Sequence, residues 1–396
     1  MLLSVALIMI SGLIAGYLLS RIGLPYIIGM LLSGGLLGPH VLNLLDVNIL
    51  LISDDLRKIA LIIILTKAGL SLDIQDLKKV GRPAILMSFL PALFEIASYL
   101  IFAPYLLGIN LIEAGIMGAV IAAVSPAVVI PKMTRLIEEG RGTNRRIPQM
   151  LIAGSSADDV FVIVVFTSML SLASGGEFGL GSLSKIPVSI VTGIILGIIL
   201  GYTLVRFFKA FHMRDTVKVV IILSLSFFMV TLESALEGSL PMSGLLAVMG
   251  LAIAIYEFYP VLAGRISLKF GKMWVFAEIL LFVLVGAFVD FKQIIASGFM
   301  MLLLLMIGLI FRLFGMFLCL VKTPLNLKEK IFCMFAEIPK ATVQAAIGGV
   351  PSAMGLRCGS SVLAMAVLSI VVTAPIGAFL IDFTADKYLE KDPSKI

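Results

Sequence analysis

Residues 147–172 read IPQMLIAGSSADDVFVIVVFTSMLSL, a largely apolar stretch that contains two adjacent acidic residues, Asp158 and Asp159. The stretch is long enough to cross the hydrocarbon core of a membrane, which requires a helix of about 20 residues. A carboxylate near the bilayer centre costs roughly 3 kcal/mol or more. The two aspartates therefore need a counter-charge, a proton or a cation, and they mark this segment as a candidate functional site.

The composition of the whole chain indicates a membrane protein. Of the 396 residues, 60% are hydrophobic and only 14% are charged, and the mean hydropathy is +1.14. Soluble domains contain roughly 45–50% apolar residues. The net charge of +6 does not favour a nucleic-acid partner, because the basic residues lie in short loops between apolar runs rather than on one face. The sequence predicts an all-α polytopic membrane protein.

The apolar runs predict about 13 transmembrane helices. Most of the 30 lysine and arginine residues lie in loops after odd-numbered spans. By the positive-inside rule, the N-terminus is outside and the C-terminus is cytoplasmic, as an odd number of spans requires. The predicted spans are 1–20, 24–39, 57–71, 82–106, 112–136, 147–172, 185–210, 216–236, 242–257, 271–289, 297–321, 329–350 and 359–382.

Two pairs of spans resemble each other in sequence. Residues 69–73 match residues 286–290 at the ends of the third and tenth spans, and residues 124–129 match residues 338–343 in the fifth and twelfth. An odd and an even span cross the membrane in opposite directions. Similarity combined with reversed direction is typical of the inverted-topology repeats of secondary transporters.

The fifth and twelfth spans carry proline in the middle of the membrane, at Pro126 and Pro131 in one and at Pro339 in the other. Proline removes a backbone hydrogen bond, and unwound backbone is tolerated in a membrane only inside protein or beside a cavity. The matched positions predict two discontinuous, crossing helices, whereas a single proline would indicate only a kink. Polar residues flank these prolines: Ser125, Lys340, Thr342 and Gln344.

The two aspartates are expected to differ in role, because neighbouring residues on a helix point about 100° apart. An oxygen-rich set of Asp159, a serine hydroxyl, backbone carbonyls and water suits a hard monovalent cation, and desolvation also favours a protonated carboxyl group. For Asp158 a buried ion pair is an equal alternative, with Lys340 as the favoured partner. The predicted ion and proton site comprises Asp159, Asp158, Ser155, Ser125 and Val124, with a hard monovalent cation bound at Asp159.

A second intramembrane pair is predicted between Glu95 and Arg312. A permanently charged guanidinium in hydrocarbon needs a carboxylate, so this pair is interpreted as architectural rather than as part of the transport chemistry. The partners of two further intramembrane acids, Glu278 and Glu337, remain open.

Several stretches resemble the monovalent cation:proton antiporter superfamily, and in particular sodium/proton antiporters with a double-aspartate motif. The resemblance rests on residues 24–39, 67–73, 124–131 and 154–159, with support from residues 338–346.

The resemblance implies a dimerisation domain and a mobile core domain that moves by an elevator mechanism. The core would include residues 57–172 and 271–382, the dimerisation helices residues 1–39 and 216–257, and the linker helix residues 185–210. It also implies that Asp159 binds cation and proton in turn while Asp158 pairs with a basic residue. A homodimer in membrane lipid is expected, in a bacterial plasma membrane, with no soluble C-terminal domain and no cofactor beyond the transported sodium or lithium ions and protons.

The sequence thus predicts a sodium (or lithium)/proton antiporter that is not an enzyme. Arg312 stands where many electrogenic members have lysine, and arginine does not release a proton, which favours electroneutral exchange unless Lys340 serves instead. Potassium/proton exchange, a potassium-efflux channel and a solute symporter are the transport alternatives. An intramembrane aspartyl protease is a remote alternative, because adjacent aspartates on one helix point apart.

Overall fold

The computed structural model contains helices joined by short loops. It describes residues 1–71, 81–173, 180–235, 242–288 and 291–391. In these ranges the only β-type pairing is one isolated antiparallel bridge, between Arg141 and Lys391. The ends of the first repeat match, Asp73 and Asp290, lie outside the described residues.

The described helices follow one another in a simple order. They are α1 (Leu2–Arg21), α2 (Tyr26–Leu37), α3 (Val47–Leu51), α4 (Ser53–Gly69), α5 (Arg82–Met87), α6 (Leu90–Leu107), α7 (Leu111–Ala122), α8 (Pro126–Glu138), α9 (Ile147–Ala173), α10 (Leu180–Ala210), α11 (Asp215–Ala235), α12 (Gly244–Phe258), α13 (Pro260–Ala287), α14 (Phe291–Cys319), α15 (Leu327–Ala336), α16 (Thr342–Ile347), α17 (Val350–Ala353) and α18 (Gly359–Tyr388).

Each predicted span coincides with one of these helices or with a consecutive pair. Within the described ranges, nine helical segments are long and apolar enough to cross a membrane, and α2 and α12 are shorter apolar helices. The remaining two predicted spans correspond to α4 and to the interrupted pair α15–α16. The prediction of an all-α polytopic membrane protein with about 13 spans is therefore confirmed.

The fifth and twelfth spans are both interrupted, as predicted. Helix α7 ends at Ala122, and the chain is extended until α8 begins at Pro126. Helix α15 ends at Ala336, and α16 begins at Thr342 after an irregular segment. In each case the chain leaves the helix near the matched prolines.

The repeat also includes the N-termini of α7 and α15, whose similarity was not part of the sequence prediction. Asn110 caps α7 by accepting a hydrogen bond from the Glu113 amide, and Asn326 caps α15 in the same way through Glu329. In both capping boxes the glutamate accepts a hydrogen bond from the backbone amide of the asparagine, so two orphan donors are satisfied together. Each broken span thus begins with the same N-x-x-E signal, and its first helix ends at a break.

The helices form two compact units. The first comprises Met1–Leu51, Ile74–Val162 and Phe282–Ile396, and the second comprises Ile52–Asp73 and Ile163–Leu281. Both broken helices and the aspartate pair belong to the first unit. The division into dimerisation and core domains stays a prediction.

Within the second unit, three glycines four residues apart let α10 approach α12 closely. A Cβ atom added at Gly197 would lie 2.2 Å from the Ala247 carbonyl oxygen. One added at Gly193 would lie 2.5 Å from the Ser243 carbonyl oxygen, and one at Gly201 would lie 2.5 Å from the Leu251 carbonyl oxygen. Small residues at this spacing are typical of tightly packed membrane helices, whose association depends on van der Waals contact. The glycine row therefore fixes the distance between the two helix backbones.

We expect Gly197→Ala to destabilise the protein by about 1–3 kcal/mol, because the added methyl group would overlap backbone that cannot move aside cheaply. Gly264→Ala is the matched control, since a Cβ atom at that helical glycine meets nothing within 4 Å. Thermal unfolding in detergent should show a lower melting temperature for Gly197→Ala and an unchanged or higher one for Gly264→Ala. Equal melting temperatures would contradict this account of the α10–α12 contact.

Candidate functional site: a buried ion-pair network at two crossing helix breaks

The two breaks lie against each other and exchange hydrogen bonds. The Ser125 amide in the first break donates to the Pro339 carbonyl in the second at 2.8 Å. In the other direction, the Gln344 side-chain amide donates to the carbonyls of Ile121 and Ala123, at 3.1 and 2.8 Å. The backbone groups freed by unwinding are thus satisfied across the crossing, as the membrane interior requires.

Arg312 on α14 contacts both breaks at once. Its Nε donates to the Glu337 carbonyl at 2.8 Å, and one Nη1 hydrogen is donated to the Ala122 carbonyl. The other three donors go to carboxylates: Nη1 to Glu95 at 3.1 Å, and Nη2 to Asp158 at 3.0 Å and to Glu337 at 2.7 Å. All five N–H donors of the guanidinium are therefore engaged in a fully buried position.

The other buried base of the network, Lys340, lies in the second break. Its ammonium group donates to Glu95 Oε2 at 2.6 Å, and its backbone amide donates to the Thr373 hydroxyl at 2.9 Å. Glu95 Oε2 therefore accepts hydrogen bonds from both Lys340 and Arg312. One carboxylate on α6 thus joins the second break to α14.

The structure contains the predicted Glu95–Arg312 pair but differs in the partner of Asp158. The sequence favoured Lys340, whereas the structure pairs Asp158 Oδ2 with Arg312 and with the Val124 amide, at 3.0 and 2.9 Å. The reason is geometric, because the long guanidinium reaches both breaks while the Lys340 ammonium is turned towards Glu95. The expected Asp158–Lys340 pair is therefore wrong.

Asp159 lies on α9 beside this network and differs from its neighbour. About 6% of Asp159 is exposed, whereas Asp158 is completely buried. Among the described residues, Asp159 has no salt bridge, whereas Asp158 pairs with Arg312; in both residues the Oδ1 atom has no hydrogen-bond partner. Asp159 is thus the carboxyl group of the pair that has no ion pair among the described residues.

The predicted serines and the prolines occupy different settings. Ser125 is buried in the first break, and its hydroxyl has no partner among the described atoms, so it is available as an oxygen ligand. The Ser155 hydroxyl donates to the Ile152 carbonyl at 3.3 Å within its own helix. Pro126 opens α8 and Pro131 lies inside it, while Pro339 supplies the carbonyl at the crossing. The Ser156 side chain lies outside the described residues.

A count of formal charges shows what the network lacks. Four buried carboxyl groups, those of Glu95, Asp158, Asp159 and Glu337, accompany two buried cations, Arg312 and Lys340. With all groups ionised the sum is 2 − 4 = −2, which is untenable away from water. Protons or cations must therefore supply the missing positive charge.

Three members of the site were not assigned by sequence reasoning. Glu337 was recognised as an intramembrane acid without a partner, and it pairs with Arg312. Gln344 was noted only as a polar neighbour of a proline, and Thr373 was not considered. A glutamate or glutamine next to a predicted helix break is the signal that could have found the first two. Glu278, the other open acid, is buried on α13.

Metal coordination by side chains alone is not indicated. In the part of the chain that the structure describes, no group of three His, Cys, Asp or Glu side chains is arranged to hold a metal ion.

Two broken helices crossing in an inverted repeat, with an unneutralised carboxylate beside them, define a secondary transporter for small cations. The comparisons with known proteins agree. The family described as "Sodium/hydrogen exchanger, transmembrane" matches residues 6–387. The chain therefore belongs to the sodium/hydrogen exchanger family, and it is a cation/proton antiporter of the membrane, not an enzyme.

Individual relatives support this assignment. The chain is 33% identical to sodium/hydrogen exchanger 9B2 of Xenopus tropicalis, over 98% of this chain and 75% of the relative, and 33% identical to the human protein of the same name, over 93% and 70%. Its fold is similar to that of the sodium proton antiporter MjNhaP1 from Methanocaldococcus jannaschii, with a TM-score of 0.79, 20% identity and 97% of each chain covered.

We expect Arg312→Met to destabilise the protein by about 3–5 kcal/mol, because removing the guanidinium leaves buried carboxylates and backbone carbonyls without their donor. Arg312→Lys should recover only part of this loss, since an ammonium group has three donors rather than five. The measurement is the melting temperature and the monodisperse fraction in detergent. Arg357→Met, at an exposed arginine, is the control and should behave like the unsubstituted protein.

Proposed function

We propose that Asp159 binds a proton and a sodium or lithium ion in turn, and that this competition couples the two fluxes. The observation that carries the proposal is the charge deficit: Asp159 is buried beside an ion-pair network and has no salt bridge among the described residues. A carboxylate in such a position is neutralised either by a proton or by a cation. Since one group cannot hold both, uptake of one ion releases the other.

The cation ligands in this proposal come from Asp159 and the first break. The Ser125 hydroxyl and the Val124 carbonyl would add oxygen ligands, and water would complete the shell. Asp158 is a positioning residue here, because it holds the Val124 amide at 2.9 Å while pairing with Arg312. Ser155 is a weaker candidate, since its hydroxyl is already bonded within α9.

The exchange ratio in this proposal is one proton for one cation. Arg312 stays charged throughout, because a guanidinium does not release its proton in proteins. Lys340 is held by Glu95 at 2.6 Å, and retaining that pair keeps its charge constant as well. One other carboxyl group of the network keeps a proton throughout in this proposal, which supplies one of the two missing charges. Asp159 is then the one group of the network that changes its proton occupancy, and the transport cycle is electroneutral.

The proposal also includes the movement of the core domain and the assembly of the protein. The site moves across the membrane with its core domain in an elevator-like step, and the protein works as a homodimer in lipid. The orientation inferred from basic residues, with the N-terminus outside and the C-terminus in the cytoplasm, also belongs to the proposal, as does the bacterial plasma membrane.

Reconstituted protein tests the role of Asp159. In liposomes with a pH-sensitive dye in the lumen, an imposed sodium gradient should change the lumenal pH, and Asp159→Asn should abolish that change. Asp55→Asn is the matched control, because it makes the same chemical change at a carboxylate whose side chain is 77% exposed. Undiminished exchange by Asp159→Asn would refute the proposal.

The same vesicles separate the alternatives. Electroneutral exchange should proceed at the same initial rate with and without an imposed membrane potential. Electrogenic exchange should become faster or slower, depending on the sign of that potential. Replacing sodium by lithium or potassium gives the cation preference. A potassium flux that moves no protons would instead indicate the channel-like alternative.

The orientation can be tested in intact cells with single-cysteine variants, after replacement of the native residues Cys319, Cys333 and Cys358. A membrane-impermeant maleimide should label Asp55→Cys, which lies in a predicted outer loop, and should not label Lys328→Cys until the membrane is opened. The reverse pattern would invert the proposed topology.

A further inference from the structure

Gln344 is a buried polar residue of the crossing that the ion-exchange proposal does not use. It is completely buried, at the third position of α16, in the half-helix that follows the second break. It carries no charge, so it contributes nothing to the charge count of the network. Its contacts are nevertheless all directed at the first break.

The orientation of the Gln344 amide is fixed by its partners. Both contacts, with Ile121 O and Ala123 O, are to carbonyl oxygens, which accept but cannot donate. The NH2 group must therefore face the first break, and Oε1 must point elsewhere. Oε1 is buried and has no hydrogen-bond partner among the described atoms.

These two hydrogen bonds control the direction of the unwound segment. The last carbonyls of a helix have no partner within it, so Ile121 and Ala122 at the end of α7 need outside donors. Three consecutive carbonyls receive them alternately: Ile121 from Gln344, Ala122 from Arg312 and Ala123 from Gln344. The next two residues along the chain are Val124 and Ser125, the proposed cation ligands.

We infer that Gln344 is a positioning residue for cation binding: by holding the carbonyls of Ile121 and Ala123, it sets where the Val124 carbonyl and the Ser125 hydroxyl stand relative to Asp159. This inference rests on the proposed function of Asp159. It adds a specificity-determining role for a neutral residue on the opposite half of the repeat. Ion choice then depends on the geometry of the first break as well as on the carboxylate, since ligand position and number determine which cation a site prefers.

Gln344→Met tests the inference, because methionine has a similar length and no hydrogen-bond donor. We expect the KM for sodium in the liposome assay to rise about tenfold, because part of the binding free energy is then used to order the loosened break. The ratio of the lithium and sodium KM values should change by about threefold or more, because a looser break discriminates less between ions of different radius. The maximal rate should change by less than about threefold.

A binding measurement gives a readout that does not depend on transport. A cation that binds the folded protein stabilises it by RT ln(1 + [L]/Kd), so the sodium concentration at which the melting temperature begins to rise reports affinity. That concentration should rise about tenfold in Gln344→Met. Ser369→Ala is the control, because it removes a buried hydroxyl that bonds only the Ala366 carbonyl in its own helix, and it should leave sodium affinity and ion choice unchanged.

The outcomes separate this inference from the function on which it rests. If Asp159→Asn is inactive and Gln344→Met keeps the sodium and lithium KM values of the unsubstituted protein, the inference on Gln344 is wrong and the role of Asp159 stands. A loss of stability with unchanged KM values would also overturn it, as a purely structural role. If Gln344→Met does not fold, Gln344→Asn takes its place; its shorter side chain cannot reach both carbonyls, and unchanged KM values there would equally refute the inference.

Discussion

The structure depends on one constraint, which is that unwound backbone inside a membrane must find hydrogen-bond partners within the protein. Two helices unwind at the same place, and their freed groups are satisfied mainly by each other and by two side chains. Arg312 donates to a carbonyl of each break, and Gln344 reaches from one half of the repeat to the other. The crossing is therefore a single hydrogen-bonded assembly, and the breaks are stable because they occur together.

The same assembly places several charged groups in the membrane interior, where removing a charge from water costs free energy. Arg312 and Lys340 pair with carboxylates on α6, on α9 and in the second break, and Asp159 remains without an ion pair among the described residues. A transporter needs such a group, since a fully paired carboxylate has no reason to bind an ion from solution. In the proposed mechanism, stability and function are divided between adjacent residues: Asp158 is held in the network, and Asp159 exchanges ions.

Sequence reasoning predicted the helical membrane fold, the positions of the breaks and the different environments of the two aspartates. These features follow from local signals: apolar length, proline at matched positions and the roughly 100° rotation between neighbours on a helix. It did not predict the choice of partner for Asp158, because that depends on which side chain reaches across the crossing. Glu337 and Gln344 were missed as members for the same reason. The asparagine–glutamate capping boxes at Asn110 and Asn326 were readable in the sequence and would have strengthened the repeat.

The five donors of Arg312 also have a consequence for the order in which the protein can mature during synthesis. Glu95 and Asp158 enter the membrane with the first half of the chain, whereas the guanidinium that pairs with them lies on α14. Until α14 is inserted, these acids lack that arginine, and the unwound end of α7 lacks its donors on Arg312 and Gln344. The first half-repeat therefore cannot reach its final structure on the nascent chain alone. Assembly of the site has to wait for the last third of the sequence, so truncated products should be targets for membrane quality control.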